Sequence, residues 1–254
     1  MASSTTTEKT FHVRSVSLPS RTHPTTLRVE EELLKLKLFV ESSLASMSSI
    51  TNEVICNGLK DLATLYDGIK DLLHQPRIQQ GLRLSNQTKA LEEGVDGSMR
   101  LLDLCGTMKD AVVTSKEHAQ DLQLALRRRG DSSTGEKVQA YICSRKETQK
   151  TIKKCYKDLK QIDAKYSDLP VISRLLNEAR MITRSLLCSI LQSLVMPKTK
   201  ASWWPFASKA MRTMMGQNQL KAVEISLGDL ENGLEHLFRR LIQNRVSLLN
   251  ILSL

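Results

Sequence analysis

A seven-residue leucine repeat near the end of the chain constrains the fold more than any other feature. Leucine recurs at every seventh position from Leu220 to Leu248, and the alternate positions from Val223 to Ile251 are apolar except at Asn244. Five heptads with one polar layer predict a long helix over about residues 218–252, as in coiled coils. A second apolar flank accompanies this seam: Ile225, Phe238, Ile242, Leu249 and Leu252. A face this wide favours packing between two neighbours in a helix bundle, with self-association through 220–251 as the open alternative.

Apolar residues also recur at helical spacing in five earlier segments. The predicted helices begin near Thr25 and then run over about 52–73, 88–128, 136–165 and 170–196. Pro76 is expected to end the second of them. No segment alternates with period two over the length of a strand. The sequence therefore predicts an all-α fold, a single elongated bundle of five to seven helices that spans residues 25–254.

Two of these predicted helices carry details that the fold can test. In the first helix the apolar stripe is marked by leucines: Leu27, Leu34, Leu38 and Leu44. In the fourth helix the stripe is interrupted, because Arg145 and Gln149 occupy apolar positions between Ile142 and Ile152. We therefore expect the middle of the fourth helix to be less buried than its ends.

Residues 1–24 precede the first helical pattern and are predicted to form a disordered, basic tail rich in Ser and Thr. Within this tail, Arg14 stands three residues before Ser17 and Pro19 stands two residues after it. An arginine at that distance suits a basophilic kinase, and the spelling resembles the phosphopeptide motif that 14-3-3 proteins capture with an arginine cluster. We therefore predict that Ser17 is a phosphorylation switch.

The net charge of +10 is confined to two segments, residues 1–29 and residues 127–165. The second segment holds twelve bases against five acids and includes the fourth helix, whose lysines are candidates for docking on a partner or a membrane: Lys150, Lys153, Lys154 and Lys157. Trp203 and Trp204 stand in a loop between basic residues and are candidates for the same role. Nucleic acid is a disfavoured partner, because the basic helix has no interleaved aromatic residues and matches no base-reading helix.

We expect no catalytic residues, no metal and no cofactor. The five cysteines and five histidines are scattered, and the closest cysteines, Cys143 and Cys155, are twelve residues apart. The segment Gly130–Lys137 superficially resembles a phosphate loop, but Glu136 separates its glycine from its lysine and a helix precedes it. The sequence favours a protein that is not an enzyme, although dispersed side chains can converge in a fold.

Two observations bear on the compartment. The longest stretch without a charge in the least polar region runs over residues 185–197, which is shorter than the roughly 20 apolar residues of a membrane span. An odd, dispersed set of cysteines with no secretory signal suggests a reducing compartment. We expect an intracellular protein, with the cytoplasm favoured and the nucleus and plastid left open.

Three stretches of the sequence, taken in order, carry a resemblance to a known family: Phe11–Pro24 leading into Val29–Leu33, Gly94–Cys105, and Leu230–Leu252. Together they resemble a plant-specific family of unknown function of the DUF241 type, distantly similar to the Bypass-type proteins. The resemblance implies plant origin, a helical protein and an association with root and shoot development, and it implies no reaction and no catalytic residues. We therefore expect a non-catalytic plant adaptor or regulatory protein, with peripheral membrane association as the alternative.

Overall fold

The computed structural model describes residues 23–45, 51–83, 88–127, 134–160, 171–195 and 214–253. Almost all of these residues are helical, and no strand occurs in these ranges. The seven helices are α1 (Pro24–Ala45), α2 (Asn52–Leu73), α3 (Pro76–Leu82), α4 (Thr88–Arg127), α5 (Thr134–Lys160), α6 (Val171–Val195) and α7 (Met214–Leu252). The predicted all-α bundle is confirmed. The predicted tail lies outside the described residues except at its end, where Pro24 begins α1.

The second predicted helix has the bounds expected from its apolar pattern. Thr51 caps its start, and the Thr51 Oγ1 atom accepts a hydrogen bond from the Val54 amide at 3.4 Å. The helix ends at Leu73 with His74 as its C-cap, so it stops just before Pro76 as predicted. Pro76 then begins α3, a seven-residue helix that the sequence analysis did not predict. Proline is tolerated in a first helical turn, because the amide that it lacks would have no partner there.

Helix α7 lies between α2 and α4. It runs antiparallel to α4, since Gln120 contacts Glu224 while Ser98, nearer the start of α4, contacts Arg245. It runs parallel to α2, since Asn52 at the start of α2 donates to the Ser226 carbonyl while Asp67, nearer the end of α2, pairs with Arg240. Helices α4 and α7 have 40 and 39 residues, which corresponds to about 60 Å each and makes the bundle elongated.

The heptad seam of α7 is buried inside this one chain. Nine of its ten predicted positions from Leu220 to Ile251 are buried, and Val223 is half-buried against the core. The polar layer has a specific partner, because the Asn244 Nδ2 atom donates to the Tyr66 carbonyl of α2 at 2.7 Å. The seam is therefore occupied by intramolecular packing. The second flank is only partly used, since Ile225 remains 56% exposed.

The apolar stripe predicted for α1 is wrong, although the helix itself is present. Leu27, Leu34 and Leu38 are exposed, whereas the buried side of α1 consists of Val29, Leu33, Leu36 and Val40. The sequence offers both stripes at helical spacing, and contact with α2 and α6 selects the second. A Cβ atom on Gly68 of α2 would lie 3.1 Å from the Val29 Cγ2 atom, so the glycine leaves room for this face to approach.

The glycine segment at the start of α4 has a packing role. An atom in the Cβ position of Gly97 would overlap the guanidinium of Arg180. The Nη1 atom of that guanidinium donates to the Glu93 carbonyl at 3.1 Å. Glycine at position 97 leaves room for Arg180 of α6 to reach the backbone of α4 in this position.

The described helices include none that is both long and apolar enough to cross a membrane.

Candidate functional site

The outer side of α5 is a continuous lysine surface. Five exposed lysines share one side of the helix, and we call this set the lysine face: Lys146, Lys150, Lys153, Lys154 and Lys157. The opposite side of the helix anchors it, because Ile152, Cys155 and Leu159 are buried in the core. The alternation of buried and charged residues therefore fixes which side of α5 meets solvent.

Most of the lysine face carries unneutralised charge. Lys150 pairs with Glu147 of the same helix at 2.7 Å, whereas the other four lysines form no ion pair with a described residue. The interface between α4 and α7 is different, because lysines of α4 there form ion pairs with glutamates of α7. There Lys109 contacts Glu235 at 2.9 Å and Lys116 contacts Glu231 at 2.8 Å. The positive field of the described surface is therefore concentrated on α5.

The structure brings only part of the predicted site set together. The four predicted lysines of α5 share one exposed face. The phosphorylation motif, Arg14, Ser17 and Pro19, lies outside the described residues, and so do Trp203 and Trp204. Their predicted roles stay predictions.

The sequence analysis missed a polar groove between α2 and α7, with a volume of about 800 Å³. An ion pair between the Asp67 Oδ2 and Arg240 Nη2 atoms, at 3.0 Å, stands at its edge. Lys60 and His236 also line it. The helices run close together here, because a Cβ atom on Gly233 would lie 2.7 Å from the Leu59 Cδ1 atom. No sequence motif signals this groove, since its residues come from helices about 170 positions apart.

A half-buried thiol, Cys56, faces this groove. Burial raises its pKa, and the negative charge of Asp229 raises it further. The thiol therefore stays protonated at neutral pH and is a poor nucleophile. The described residues hold no group of three or more His, Cys, Asp or Glu side chains that could bind a metal ion.

Two further titratable groups are fully enclosed in the core. Burial raises the pKa of the Tyr66 hydroxyl to about 12, and the pKa of the Cys105 thiol likewise to about 12. The Tyr66 hydroxyl is hydrogen-bonded to Thr183 of α6 at 2.9 Å, and the Cys105 thiol donates to the Leu234 carbonyl at 3.5 Å. Both groups tie neighbouring helices together as neutral side chains.

The family model described as Protein BPS1 matches residues 58–219 and residues 213–251 of the chain. The chain belongs to the BPS1 protein family. This membership confirms the Bypass-type resemblance carried by the sequence motifs. The match includes the lysine face, whereas Arg14, Ser17 and Pro19 lie outside it. No curated protein and no solved structure matches the chain significantly.

Proposed function

We propose that this BPS1-family protein is a non-catalytic plant adaptor or regulatory protein with a role in root and shoot development. Its lysine face docks on an acidic surface of a protein partner. The observation that supports this docking is the set of lysines without an acid partner, presented by a helix whose other side is anchored in the core.

The charge of the lysine face suits recognition better than stability. Exposed ion pairs contribute little to the free energy of folding, and unpaired like charges on one helix repel each other. The same charges attract an acidic surface over about 8 Å at physiological ionic strength. A lysine face therefore favours association with an acidic partner and adds little to the free energy of folding.

A charge-matched comparison tests this docking. One variant changes Lys150, Lys153, Lys154 and Lys157 to Gln. The control changes four exposed lysines on other helices to Gln: Lys37, Lys60, Lys89 and Lys221. Both variants lose the same net charge. Pull-down from plant tissue should lose partners only with the first variant, and equal loss with both would reject a specific role for α5.

Phosphorylation of Ser17 is the proposed switch, with a 14-3-3 protein as the partner. The support is the motif itself, in which Arg14 suits a basophilic kinase and Pro19 turns the chain out of an extended groove. Pull-down with and without phosphatase should show a 14-3-3 protein that is lost from Ser17→Ala and from Arg14→Ala. Capture that is unchanged by both substitutions and by phosphatase would refute the switch.

The second candidate function is peripheral membrane association through the lysine face together with Trp203 and Trp204. The lysine face favours this candidate as well, because each basic residue near an anionic bilayer adds about 1 kcal/mol of attraction. Flotation with vesicles rich in phosphatidylserine should succeed at low salt and fail at high salt. The α5 variant should lose flotation while the charge-matched control keeps it. Absence of flotation at low salt would leave the protein partner as the only supported target.

A further inference from the structure

The second apolar flank of α7 is left uncovered near the end of the helix. Ile242 is 41% exposed, Val246 is 49% exposed and Leu249 is 42% exposed. These positions are four and three residues apart, so their side chains form one stripe along a single side of α7. Single exposed apolar residues are ordinary on a protein surface, whereas a continuous stripe indicates a surface that another segment covers.

Helix α4 extends this stripe by one apolar side chain. A Cβ atom on Gly106 of α4 would lie 3.7 Å from the Phe238 Cε2 atom, so these two positions face each other. The helices are antiparallel, and Met99, seven residues before Gly106, is therefore level with Arg245. The hydrogen bond from Arg245 to the Ser98 hydroxyl, at 3.4 Å, supports this register. Met99 is 47% exposed. We call the four exposed residues the apolar patch: Met99, Ile242, Val246 and Leu249.

Acidic side chains border the apolar patch on α4. Glu92, Asp96 and Asp103 are exposed, and they stand seven and three residues before Met99 and four residues after it. Residues at these spacings share one side of a helix. None of the three acids forms an ion pair with a described residue, whereas Arg239 of α7 is already paired with a glutamate of its own helix. This acidic border therefore attracts a basic segment.

Residues 1–22 connect to the bundle at the level of the apolar patch. The His23 Nδ1 atom lies 3.2 Å from the Nε2 atom of Gln75, which follows the end of α2. Helices α2 and α7 are parallel, and Asp67 is paired with Arg240. Gln75, eight residues beyond Asp67, is therefore level with residue 248 of α7. The segment that precedes His23 consequently starts at the same height as the apolar patch.

The composition of residues 1–22 complements the apolar patch and its acidic border. The segment holds Lys9, Arg14 and Arg21 against one acid, Glu8. Apolar side chains stand among these bases: Phe11, Val13, Val16 and Leu18. The segment therefore offers both an apolar surface and a positive charge.

The length of the segment also fits. Leu18 and Phe11 stand five and twelve residues before His23, which corresponds to about 17–40 Å of extended chain. Helix α2 lies between α1 and α7, and the apolar patch lies on the far side of α7, next to α4. Two to three interhelical spacings of 8–10 Å therefore separate α1 from the patch, or roughly 20–30 Å.

We propose that residues 11–18 dock on the apolar patch of the same molecule. Their four apolar side chains cover the exposed stripe, and Arg14 meets the acidic border on α4. Because the segment is tethered, its effective concentration at the patch is high and weak contacts suffice. The docking itself does not depend on the functions proposed above. Docking would also compete with capture of Ser17 by a 14-3-3 protein, and only this consequence rests on the proposed switch.

Amide hydrogen exchange of the full chain, followed by mass spectrometry, tests the docking. In the wild type, the amides of residues 11–18 should exchange more slowly than in a synthetic peptide of residues 1–22, by roughly threefold or more. The patch variant, Ile242→Ser with Leu249→Ser, should lose this protection. The matched control, Leu34→Ser with Leu38→Ser, removes two exposed leucines of α1 and should keep it.

A second pair of variants tests the acidic border. Asp96→Asn with Asp103→Asn should reduce the protection of residues 11–18 by roughly twofold, because exposed charges contribute modestly. Glu41→Gln with Asp61→Asn removes two exposed acids from other helices and should leave the protection unchanged. Exchange within α7 should be the same in all four variants, which shows that the bundle remains folded.

Three results would overturn the proposal. The first is an exchange rate of residues 11–18 in the wild type equal to that of the synthetic peptide. The second is protection as strong in the patch variant or the border variant as in the wild type. The third is protection that disappears on dilution, which would assign the apolar patch to a second copy of the chain. None of these results bears on pull-down through the lysine face, so the two proposals fail independently.

Discussion

Helices α5 and α7 both pack against α4, yet they use their surfaces in opposite ways. Helix α7 buries nine of ten seam positions between Leu220 and Ile251. The buried side of α5 is shorter and is interrupted by Arg145 and Gln149, which are half-buried. Glu231 and Glu235 of α7 are paired with lysines of α4, whereas the lysine face of α5 is mostly unpaired. The comparison teaches that α7 holds the bundle together while α5 presents most of its charge to solvent.

The largest expected change in stability comes from shortening a buried side chain in the α7 seam. Leu234 has no exposed surface, and Leu234→Ala should destabilise the protein by about 3 kcal/mol because it leaves a cavity in the core. Leu249→Ala, on the same helix, is the matched control, since Leu249 is 42% exposed and its loss should cost below about 1 kcal/mol. Denaturant unfolding measures both. Equal costs would contradict the assignment of the seam as the core side of α7.

Two of the glycines of α7, Gly228 and Gly233, give the next effect, and its sign differs between them. A methyl group on Gly233 would collide with Leu59 of α2, so Gly233→Ala should destabilise by about 1–3 kcal/mol. Gly228 has open space around its Cβ position, so Gly228→Ala should stabilise by about 0.5–1 kcal/mol through helix propensity. Thermal melting of both variants checks the signs. Stabilisation by Gly233→Ala would mean that α2 and α7 are not in close contact there.

The ion pair between Lys109 of α4 and Glu235 of α7 predicts a smaller effect that depends on pH. Hydrogen bonds from Lys109 and Arg239 lower the pKa of Glu235 below its usual value of 4.5. A lowered pKa means that the stabilisation by ionised Glu235 is present above that usual value and is lost as the pH falls through the folded-state pKa. Wild type should therefore be slightly more stable than Glu235→Gln at pH 7, and the two should converge in acid. A difference that is the same at pH 7 and pH 3 would show that ionised Glu235 does not stabilise the fold.

The smallest effect is expected on the lysine face. Changing Lys150, Lys153, Lys154 and Lys157 to Gln should alter the free energy of unfolding by less than about 0.5 kcal/mol, because these side chains are exposed. Chemical denaturation of the variant measures this. A loss of several kcal/mol would show that α5 uses its lysines for the fold, and the contrast with α7 would fail.

Much of the fold follows from the spacing of apolar residues. The bounds of α2 were predicted from that spacing, and the buried seam of α7 was predicted from its heptads. Helix α3 was not predicted because it is short, and seven residues beginning at Pro76 show too little periodicity to recognise. Of the candidate sites, only the lysine face could be read from one segment, because all of its residues stand on one helix.

The sequence by itself determined that this chain forms long amphipathic helices, since helical spacing is a local property of consecutive residues. It also determined that α7 is buried, because a seam of five heptads has few other ways to leave water. The tertiary structure alone decided which of two stripes of α1 faces inwards, where the groove between α2 and α7 lies, and that Met99 of α4 lies beside the exposed flank of α7. These features depend on which helices become neighbours, and residues of different helices meet only once the bundle has packed.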